Sequence, residues 1–287
     1  MDSRDLDTDE VARIYDELLE TYEREWDYRG HRSLHLSYYD DDHEEPGSAA
    51  VNTMRVLSEA AEITAADRVL NIGCGAGEDA VWNARAHGAH VIGVNISESQ
   101  LEMARENARE HGVEDLTEFR YDDFHELSTV EDGSVTVVWG LEALSHSPDI
   151  DRVFDQIDRV LTDDGRVAFT DLFVTASDPG EVDAETRARL ETVNDALGVR
   201  LGSIDELESV LESHGYRDVT IRNLTEGVLP CTERRHTFAR VAAPVSRLLG
   251  LVGRGSETRR DVYRANSEIH RLLSDSELGY YLVTARR

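Results

Sequence analysis

Short apolar runs alternate with amphipathic segments through the middle of the chain. The runs have the length and β-branched content of buried strands, and the segments between them carry apolar residues at helical spacing. The predicted strands are residues 68–72, 90–94, 117–121, 134–140 and 166–171, and the predicted helices are residues 77–86, 97–111 and 150–161. This alternation favours right-handed βαβ units, and therefore an α/β fold with a mostly parallel sheet.

The two ends of the chain follow a more helical pattern. Helices are predicted over residues 8–27 and 48–62, with a loop rich in aromatic residues and His between them. The later elements are helices over residues 178–197 and 203–214, a strand over 218–224, helices within 230–275 and a strand over 280–284. We therefore expect a seven-stranded sheet and four regions: a helical lid (1–62), an α/β core (63–225), a helical insertion that forms a cap (226–275) and the last core strand (276–287).

The charge balance narrows the class of protein. The chain has 59 acidic and 30 basic residues, a formal net charge of −29, and every basic residue is Arg. Such a surface repels phosphate backbones, so no nucleic-acid partner is expected. The 40% apolar content argues against disorder. Because multimolar salt screens self-repulsion, we interpret the composition as that of a halophilic protein.

The sequence gives weaker indications of the cellular compartment and of whether the protein binds a metal. No apolar run reaches the roughly 20 residues that a membrane helix needs, and the acidic N-terminus lacks the pattern of a secretory signal. Cys74 and Cys231 show no spacing typical of a disulfide or metal framework. A cytoplasmic protein without a metal site is therefore expected.

A glycine-rich turn is the strongest local signal of a ligand site. The strand over 68–72 leads into Gly73, Gly75 and Gly77, and a helix follows at once. Glycines allow a sharp turn and a close approach of the backbone to a ligand, and the helix start offers N–H groups. The alternative is a tight turn between strand and helix that binds nothing.

Two details refine the kind of ligand. The spacing is G-x-G-x-G rather than the G-x-G-x-x-G of dinucleotide folds, and the acidic pair Glu78-Asp79 would repel a pyrophosphate. A ligand with an ammonium and a sulfonium group is tolerated better. Asn95 ends the next strand and Gln100 lies one helical turn further on, where their amides can bind ribose hydroxyls.

Six segments in the order seen here resemble the class I methyltransferases that depend on S-adenosylmethionine. They are LHLSYYD (34–40), VLNIGCGAGEDA (69–80), VIGVNISESQLEMARENA (91–108), FRYDD (119–123), VVWGLEALSHSPD (137–149) and DRVLTDDGRVAFTDLF (158–173). The chain looks like the branch that contains sterol and tocopherol C-methyltransferases, sugar O-methyltransferases and sarcosine/dimethylglycine N-methyltransferases. This resemblance implies S-adenosylmethionine as cofactor and a Rossmann-like sheet with a helical N-terminal lid and a helical insertion.

The resemblance also implies a set of cofactor contacts. Asp123 matches the acidic residue that receives the adenine amino group, and Asn71 stands where the family usually has Asp. The residues expected at the cofactor are Asn71, Gly73, Cys74, Gly75, Gly77, Asn95, Ile96, Gln100, Asp122, Asp123, Phe124, Gly140 and Leu141, with Tyr15 and His35 from the lid.

Three side chains at the ends of the fourth and fifth strands are the catalytic candidates. In O-methyltransferase relatives the matching His and Asp act at the methyl acceptor, and here they are His146 and Asp171. His titrates near neutral pH and suits a hydroxyl substrate. Glu142 is expected to hydrogen-bond either the acceptor or the loop backbone. The alternative for His146 is a helix-capping role beside Pro148.

The function expected from the sequence is methyl transfer to a hydroxyl, carbon or nitrogen of a small molecule, and these three acceptors stay open. A nicotinamide-dependent oxidoreductase and a cofactor-binding module without activity are the competing hypotheses. The Arg residues of the insertion either pair with surface carboxylates or bind an anionic acceptor. A homodimer is compatible with the sequence.

Overall fold

A single seven-stranded sheet forms the centre of the protein in this computed structural model, which describes Arg13, residues 35–251 and residues 257–287. The strand order is β3-β2-β1-β4-β5-β7-β6. Strands β1 to β5 pair in parallel, and β7 is antiparallel to both β5 and β6. The strands are β1 (Arg68–Ile72), β2 (His90–Asn95), β3 (Thr117–Tyr121), β4 (Val135–Leu141), β5 (Leu161–Val174), β6 (Arg217–Asn223) and β7 (Leu278–Arg286). The predicted α/β class with a mostly parallel sheet is confirmed.

Helices cover both faces of the sheet. They are α1 (Pro46–Ala60), α2 (Glu78–His87), α3 (Glu98–His111), α4 (Ile150–Val160), α5 (Ala184–Leu197), α6 (Ile204–Ser213), α7 (Thr225–Leu251) and α8 (Glu257–Ser274). One buried apolar cluster includes side chains of α1, α2, α5 and α8, and a second includes those of α4 and α6. The sheet therefore separates two cores, which is how an α/β domain buries both faces of parallel strands.

Local chemistry accounts for the helix ends nearest the carboxyl edge of the sheet. Gly77 precedes α2 with a φ of +76°, a backbone conformation that side chains with a Cβ rarely adopt. The Ser97 hydroxyl accepts a hydrogen bond from the backbone N–H of Gln100 and caps α3. These caps hold the ends of β1 and β2 at the same edge of the sheet.

Two elements differ most from their predicted bounds. Strand β5 extends from Leu161 to Val174, beyond the predicted 166–171, because β4 pairs with it at Leu161 and β7 pairs with it as far as Val174. Helix α5 begins at Ala184, not at residue 178, because the Asp183 carboxylate accepts hydrogen bonds from the N–H groups of Glu185 and Thr186. The first difference depends on tertiary pairing and the second on a cap.

The insertion between β6 and β7 consists of α7 and α8. Helix α8 packs against both α7 and α5, so the insertion reaches the side of the core where β4 and β5 end. The helix predicted over residues 8–27 lies outside the described residues, apart from Arg13, which is helical. Among the described helices, none has the length and apolar character required to cross a membrane.

Candidate active site

One cavity lies at the carboxyl ends of the parallel strands. Most of the residues predicted at the site line it. They are His35, Gly73, Cys74, Gly75, Asn95, Ile96, Gln100, Asp122, Phe124, Leu141, Glu142, His146 and Asp171. The topology thus brings the ends of β1 to β5 and the segment before α1 to one place, where open α/β sheets usually bind ligands.

The turn after β1 presents its backbone to this cavity. Gly73 and Gly75 have φ values of +63° and +52°, and the N–H of Cys74 donates to the carbonyl of Val94 at 3.0 Å. A Cβ atom added to Gly75 would meet no protein atom within 4 Å. The absence of a side chain at Gly75 therefore leaves space for a ligand beside the backbone.

Replacing Gly75 by Ala should weaken ligand binding more than it weakens the fold. The added methyl group enters the cavity, and the left-handed backbone costs about 1 kcal/mol. Gly112 is a matched control, since it has a φ of +66° and equally open surroundings but does not line the cavity. Both variants should lose similar free energy of unfolding, and only Gly75→Ala should raise the Kd for S-adenosylhomocysteine in calorimetry. Equal affinity in the two variants would contradict this role.

An amide pair lies at the end of β2. The Asn95 Nδ2 group donates to Gln100 Oε1 at 2.7 Å, and Asn95 Oδ1 accepts from the N–H of Ile96 at 2.9 Å. Ile96 and Phe124 contribute apolar surface to the same end of the cavity. Amide groups beside apolar side chains suit a nucleoside, whose base is flat and whose sugar carries hydroxyls.

Of the two acidic residues that follow β3, Asp122 lines the cavity and Asp123 does not, although both were predicted at the cofactor. The Asp122 carboxylate accepts hydrogen bonds from the backbone and side chains of Ser128 and Thr129. Asp123, predicted to receive the adenine amino group, is not among the lining residues. Its Oδ1 accepts from the N–H of His125 and lies 2.6 Å from His125 Nδ1. Asp123 therefore holds His125, whose Nε2 lies 2.9 Å from the buried hydroxyl of Ser147.

His146 is held in one tautomer by the protein. Its Nδ1 lies 2.9 Å from the carbonyl oxygen of Gly198, and a carbonyl can only accept, so Nδ1 carries the hydrogen. Nε2 of the neutral ring then carries the lone pair. Burial lowers the pKa of His146, and the hydrogen bond to Gly198 opposes that shift in part. A neutral imidazole at the cavity surface is equipped to accept a proton.

Asp171 lies buried at the same end of the cavity. Its two oxygens accept from the N–H groups of Ser145, at 2.9 Å, and Leu172, at 2.8 Å. Burial raises the pKa of Asp171 to about 7, with the Glu142 carboxylate adding to the effect. Asp171 therefore provides, near the neutral imidazole of His146, a group that changes protonation near neutral pH.

Glu142 attaches the segment before α1 to the core. Its Oε1 accepts from the N–H of Leu36 at 2.6 Å and from the Tyr280 hydroxyl at 2.9 Å. Arg235 donates to the carbonyl of His35 at 2.9 Å, so the insertion holds the same segment. Of the two roles expected for Glu142, the structure has the hydrogen bond to loop backbone. Tyr280 was missed, and Arg235 was expected only as one of the Arg residues of the insertion, because their contacts join segments far apart in sequence.

Several other lining residues also escaped the sequence analysis. An apolar wall comes from α5, the following loop and α8, and Asn266 and Ser145 add polar groups to the lining. The wall residues are Val193, Leu197, Val199, Leu201 and Ile269. Amphipathic spacing marked these segments as helical, but only tertiary packing aims these faces at the cavity. Asp79 also lines the cavity, and the sequence had shown it only as a charge at a helix start.

Four predicted cofactor contacts are not among the lining residues. Asp123 is one, and Asn71 is buried within β1. A Cβ on Gly77 would lie 2.7 Å from the Cβ of Ala104, and one on Gly140 would lie 2.8 Å from Phe169, so both glycines allow close packing instead. Tyr15, a fifth predicted contact, lies outside the described residues.

The chemistry of the cavity is that of positioning and proton transfer. Among the described residues, no group of three or more His, Cys, Asp or Glu side chains is arranged to hold a metal ion. The glycine turn follows β1 and the amide pair lies at the end of β2, whereas His146 follows β4 and Asp171 lies in β5, so the strand order separates the two pairs along the cavity. A cofactor beside β1 and β2 would present its reactive atom to a substrate beside β4 and β5.

Comparisons with known proteins agree with this arrangement. A family model described as "Methyltransferase domain" matches residues 63–231. The chain is similar to 27-O-demethylrifamycin SV methyltransferase from Amycolatopsis mediterranei (strain S699), with 32% identity over 280 residues, 97% of each protein. It is also similar to glycine/sarcosine/dimethylglycine N-methyltransferase from Actinopolyspora halophila, with 30% identity over 198 residues, 69% of this chain and 34% of that protein.

Solved structures share the fold at lower identity. Geranyl diphosphate C-methyltransferase from Streptomyces coelicolor A3(2), in complex with Mg2+, geranyl-S-thiolodiphosphate and S-adenosyl-L-homocysteine, has a TM-score of 0.75 and 19% identity. The match covers 98% of this chain and 97% of that one. The same sheet and flanking helices are thus found in a protein that holds the demethylated cofactor.

Proposed function

The chain belongs to the methyltransferase-domain family, and from that premise we propose that it methylates a hydroxyl group on a predominantly apolar small molecule. It is an S-adenosylmethionine-dependent methyltransferase that acts on small molecules. What we propose beyond this is the acceptor atom, the class of acceptor and the roles of individual residues.

The residues present fit the cofactor. The space beside Gly75 accommodates the amino-acid part, the Asn95–Gln100 pair suits the ribose, and Ile96 and Phe124 suit the base. Asp122 replaces Asp123 as the acidic residue proposed near the adenine. When bound, S-adenosylmethionine supplies an activated methyl group on a sulfonium. The protein therefore has to align the two reactants, exclude water and remove one proton.

The observation that carries the choice of a hydroxyl is the hydrogen bond from His146 Nδ1 to Gly198. It leaves the lone pair on Nε2 of a side chain that lines the cavity, and a hydroxyl needs such a base whereas an unprotonated amine or an electron-rich carbon does not. The apolar wall formed by α5 and α8 supports an acceptor with a large hydrocarbon part. The relative from Amycolatopsis is named for an O-methyl position on rifamycin, which is consistent with this choice.

A glycine derivative is the second candidate acceptor. Arg235 lines the cavity and could pair with a small carboxylate. The similarity to the enzyme from Actinopolyspora halophila supports this candidate. The apolar wall argues against it, because a small zwitterion would leave that surface in contact with water.

Methyl transfer from radiolabelled S-adenosylmethionine tests the choice. The acceptor panel contains hydroxylated polyketides and phenols on one side, and glycine, sarcosine and dimethylglycine on the other. We expect label in an ether-linked methyl group of an apolar acceptor, identified by mass spectrometry. Label only in the amines would replace the proposal by its second candidate, and label in neither group of acceptors would overturn both candidates.

We also propose the four-region division drawn from the sequence, with the segment before α1 acting as part of a lid. The support is that Glu142 and Arg235 hold Leu36 and His35 directly at the cavity. Residues of the core and of the insertion therefore act together on this segment.

Adaptation to high salt is a further part of the proposal. With a net charge of −29, unscreened repulsion opposes the folded state in dilute buffer. We expect Tm to rise by at least about 5 °C between dilute buffer and about 2 M KCl, which corresponds to about 3 kcal/mol in a protein of this size. Repeating the scan near the isoelectric point of 4.6 is the control, because little charge remains to be screened. A Tm that salt leaves unchanged at neutral pH would contradict halophily.

A further inference from the structure

Asp79 is a buried carboxyl group at the surface of the cavity. It lies in the first turn of α2, directly after the glycine turn, and only 8% of it is exposed. Its Oδ2 accepts from the indole N–H of Trp139 at 3.1 Å, and its Oδ1 accepts from the N–H of Ala80 at 3.0 Å. Burial raises the pKa of Asp79 to about 6, and these hydrogen bonds limit the rise. The group is therefore mostly ionised above neutral pH.

The charge of Asp79 has no cationic partner in the described part of the chain. Its hydrogen-bond donors, an indole and a backbone N–H, are neutral. A buried carboxylate without a nearby cation is costly, and a ligand that brings a positive charge offsets that cost.

Asn71 is a neutral neighbour of Asp79, so Asp79 is the only one of the two side chains that carries a charge. Its side chain is buried beside Asp79 and lowers the pKa of that group, although in the described residues neither amide atom reaches hydrogen-bond geometry. A second carboxylate at Asn71 would force the two groups to share a proton. The chain thus places its negative charge on α2, where it reaches the cavity, and keeps the neighbouring strand position neutral.

The geometry points to Asp79 as the counter-ion of the cofactor's α-ammonium group, and hence as the residue that sets affinity for the amino-acid end of the cofactor. The inference rests on the proposed placement of the cofactor at the glycine turn. With the nucleoside beside Asn95 and Phe124 and the acceptor beside His146, the amino-acid end lies next to Gly73 and Gly75, and Asp79 follows them in the chain.

Two ligands that differ only in the amino-acid part provide the test. S-Adenosylhomocysteine carries the α-ammonium group, and 5′-methylthioadenosine lacks the whole amino-acid part. In calorimetry at pH 8, Asp79→Asn should raise the Kd for S-adenosylhomocysteine at least tenfold and leave the Kd for 5′-methylthioadenosine within twofold. Asn retains an oxygen for the Trp139 N–H, so the variant keeps that contact. The double variant Asn71→Asp/Asp79→Asn should recover only part of the lost affinity, because it returns a negative charge beside position 79 but at a residue that does not line the cavity.

The pH dependence gives an independent readout. For the unaltered protein, affinity for S-adenosylhomocysteine should fall as pH decreases through about 6, while Asp79→Asn should show a flat profile there. Equal losses for both ligands would assign Asp79 a structural role and overturn the inference. Unchanged affinity for S-adenosylhomocysteine in Asp79→Asn would also overturn it, whereas unchanged affinity in Gly75→Ala would show that the placement at the glycine turn is at fault.

Discussion

Replacement of His146 by Ala is expected to lower kcat by about 10²- to 10⁴-fold, the usual contribution of a positioned base. Its Nδ1 is engaged by Gly198, so the ring nitrogen directed away from that carbonyl is the one that takes the proton. The Kd for S-adenosylhomocysteine should stay within twofold, because His146 lies at the acceptor end of the cavity. The measurement compares single-turnover methyl transfer to the acceptor identified in the screen with calorimetry of cofactor binding.

A pH profile separates a base from a packing residue. Burial lowers the pKa of His146 below its usual 6.5, so kcat should rise with pH and level off once the ring is neutral. His146→Gln keeps a polar side chain of similar length but cannot accept the proton, and it should show the same loss as His146→Ala. A loss of activity that matches a loss of cofactor affinity in both variants would remove the assignment as base.

Replacement of Asp171 by Asn is expected to stabilise the protein at pH 8 while it lowers turnover. The pKa of Asp171 is about 7 in the folded state, against about 3.8 when unfolded. The unfolded state therefore releases the proton first, and stability falls as pH rises from about 4 to about 7. That difference corresponds to about 4 kcal/mol above pH 7. Asn removes this penalty but loses one accepted N–H bond, worth about 1–2 kcal/mol.

Urea denaturation of both proteins at two pH values measures the effect. The free energy of unfolding should favour Asp171→Asn by about 2–3 kcal/mol at pH 8 and differ little at pH 5, where the carboxyl of the folded protein is protonated. A destabilised variant at pH 8 would mean that Asp171 contributes to folding as an ordinary ion or hydrogen-bond partner. The expected gain instead identifies a group retained at the expense of stability, as functional groups often are.

The core of the fold could be predicted because its signals are local. Alternation of apolar runs and amphipathic segments, with glycines and caps at their ends, was sufficient to place β1 to β4 within one residue of their observed ends. The far end of β5 could not be predicted in this way, because its extension to Val174 depends on pairing with β7, which lies more than a hundred residues away.

The site residues that could be predicted are those in or next to a sequence motif that fixes the backbone. Residues whose position depends on contacts between distant segments were harder to predict. Gly75, Asn95, His146 and Asp171 all line the cavity as expected. Asp123 does not, because a local His125 takes its carboxylate, and sequence spacing alone cannot distinguish it from Asp122.

Tertiary contacts account for what the sequence analysis missed. Asn266 reaches the cavity through the packing of α8 against α7, and the same packing brings to the cavity Arg235, which was expected only as one of the Arg residues of the insertion. The acceptor end is therefore the least predictable part of the site, while methyltransferase membership and the cofactor are confirmed.

A crystal structure of the complex with S-adenosylhomocysteine would show where the cofactor binds. We expect the amino-acid part beside Gly73 and Gly75, the base beside Ile96 and Phe124, and the sulfur directed toward the side of the cavity that holds His146 and Asp171. A complex with the ligand bound away from the glycine turn, or with its sulfur facing away from His146, would contradict this placement.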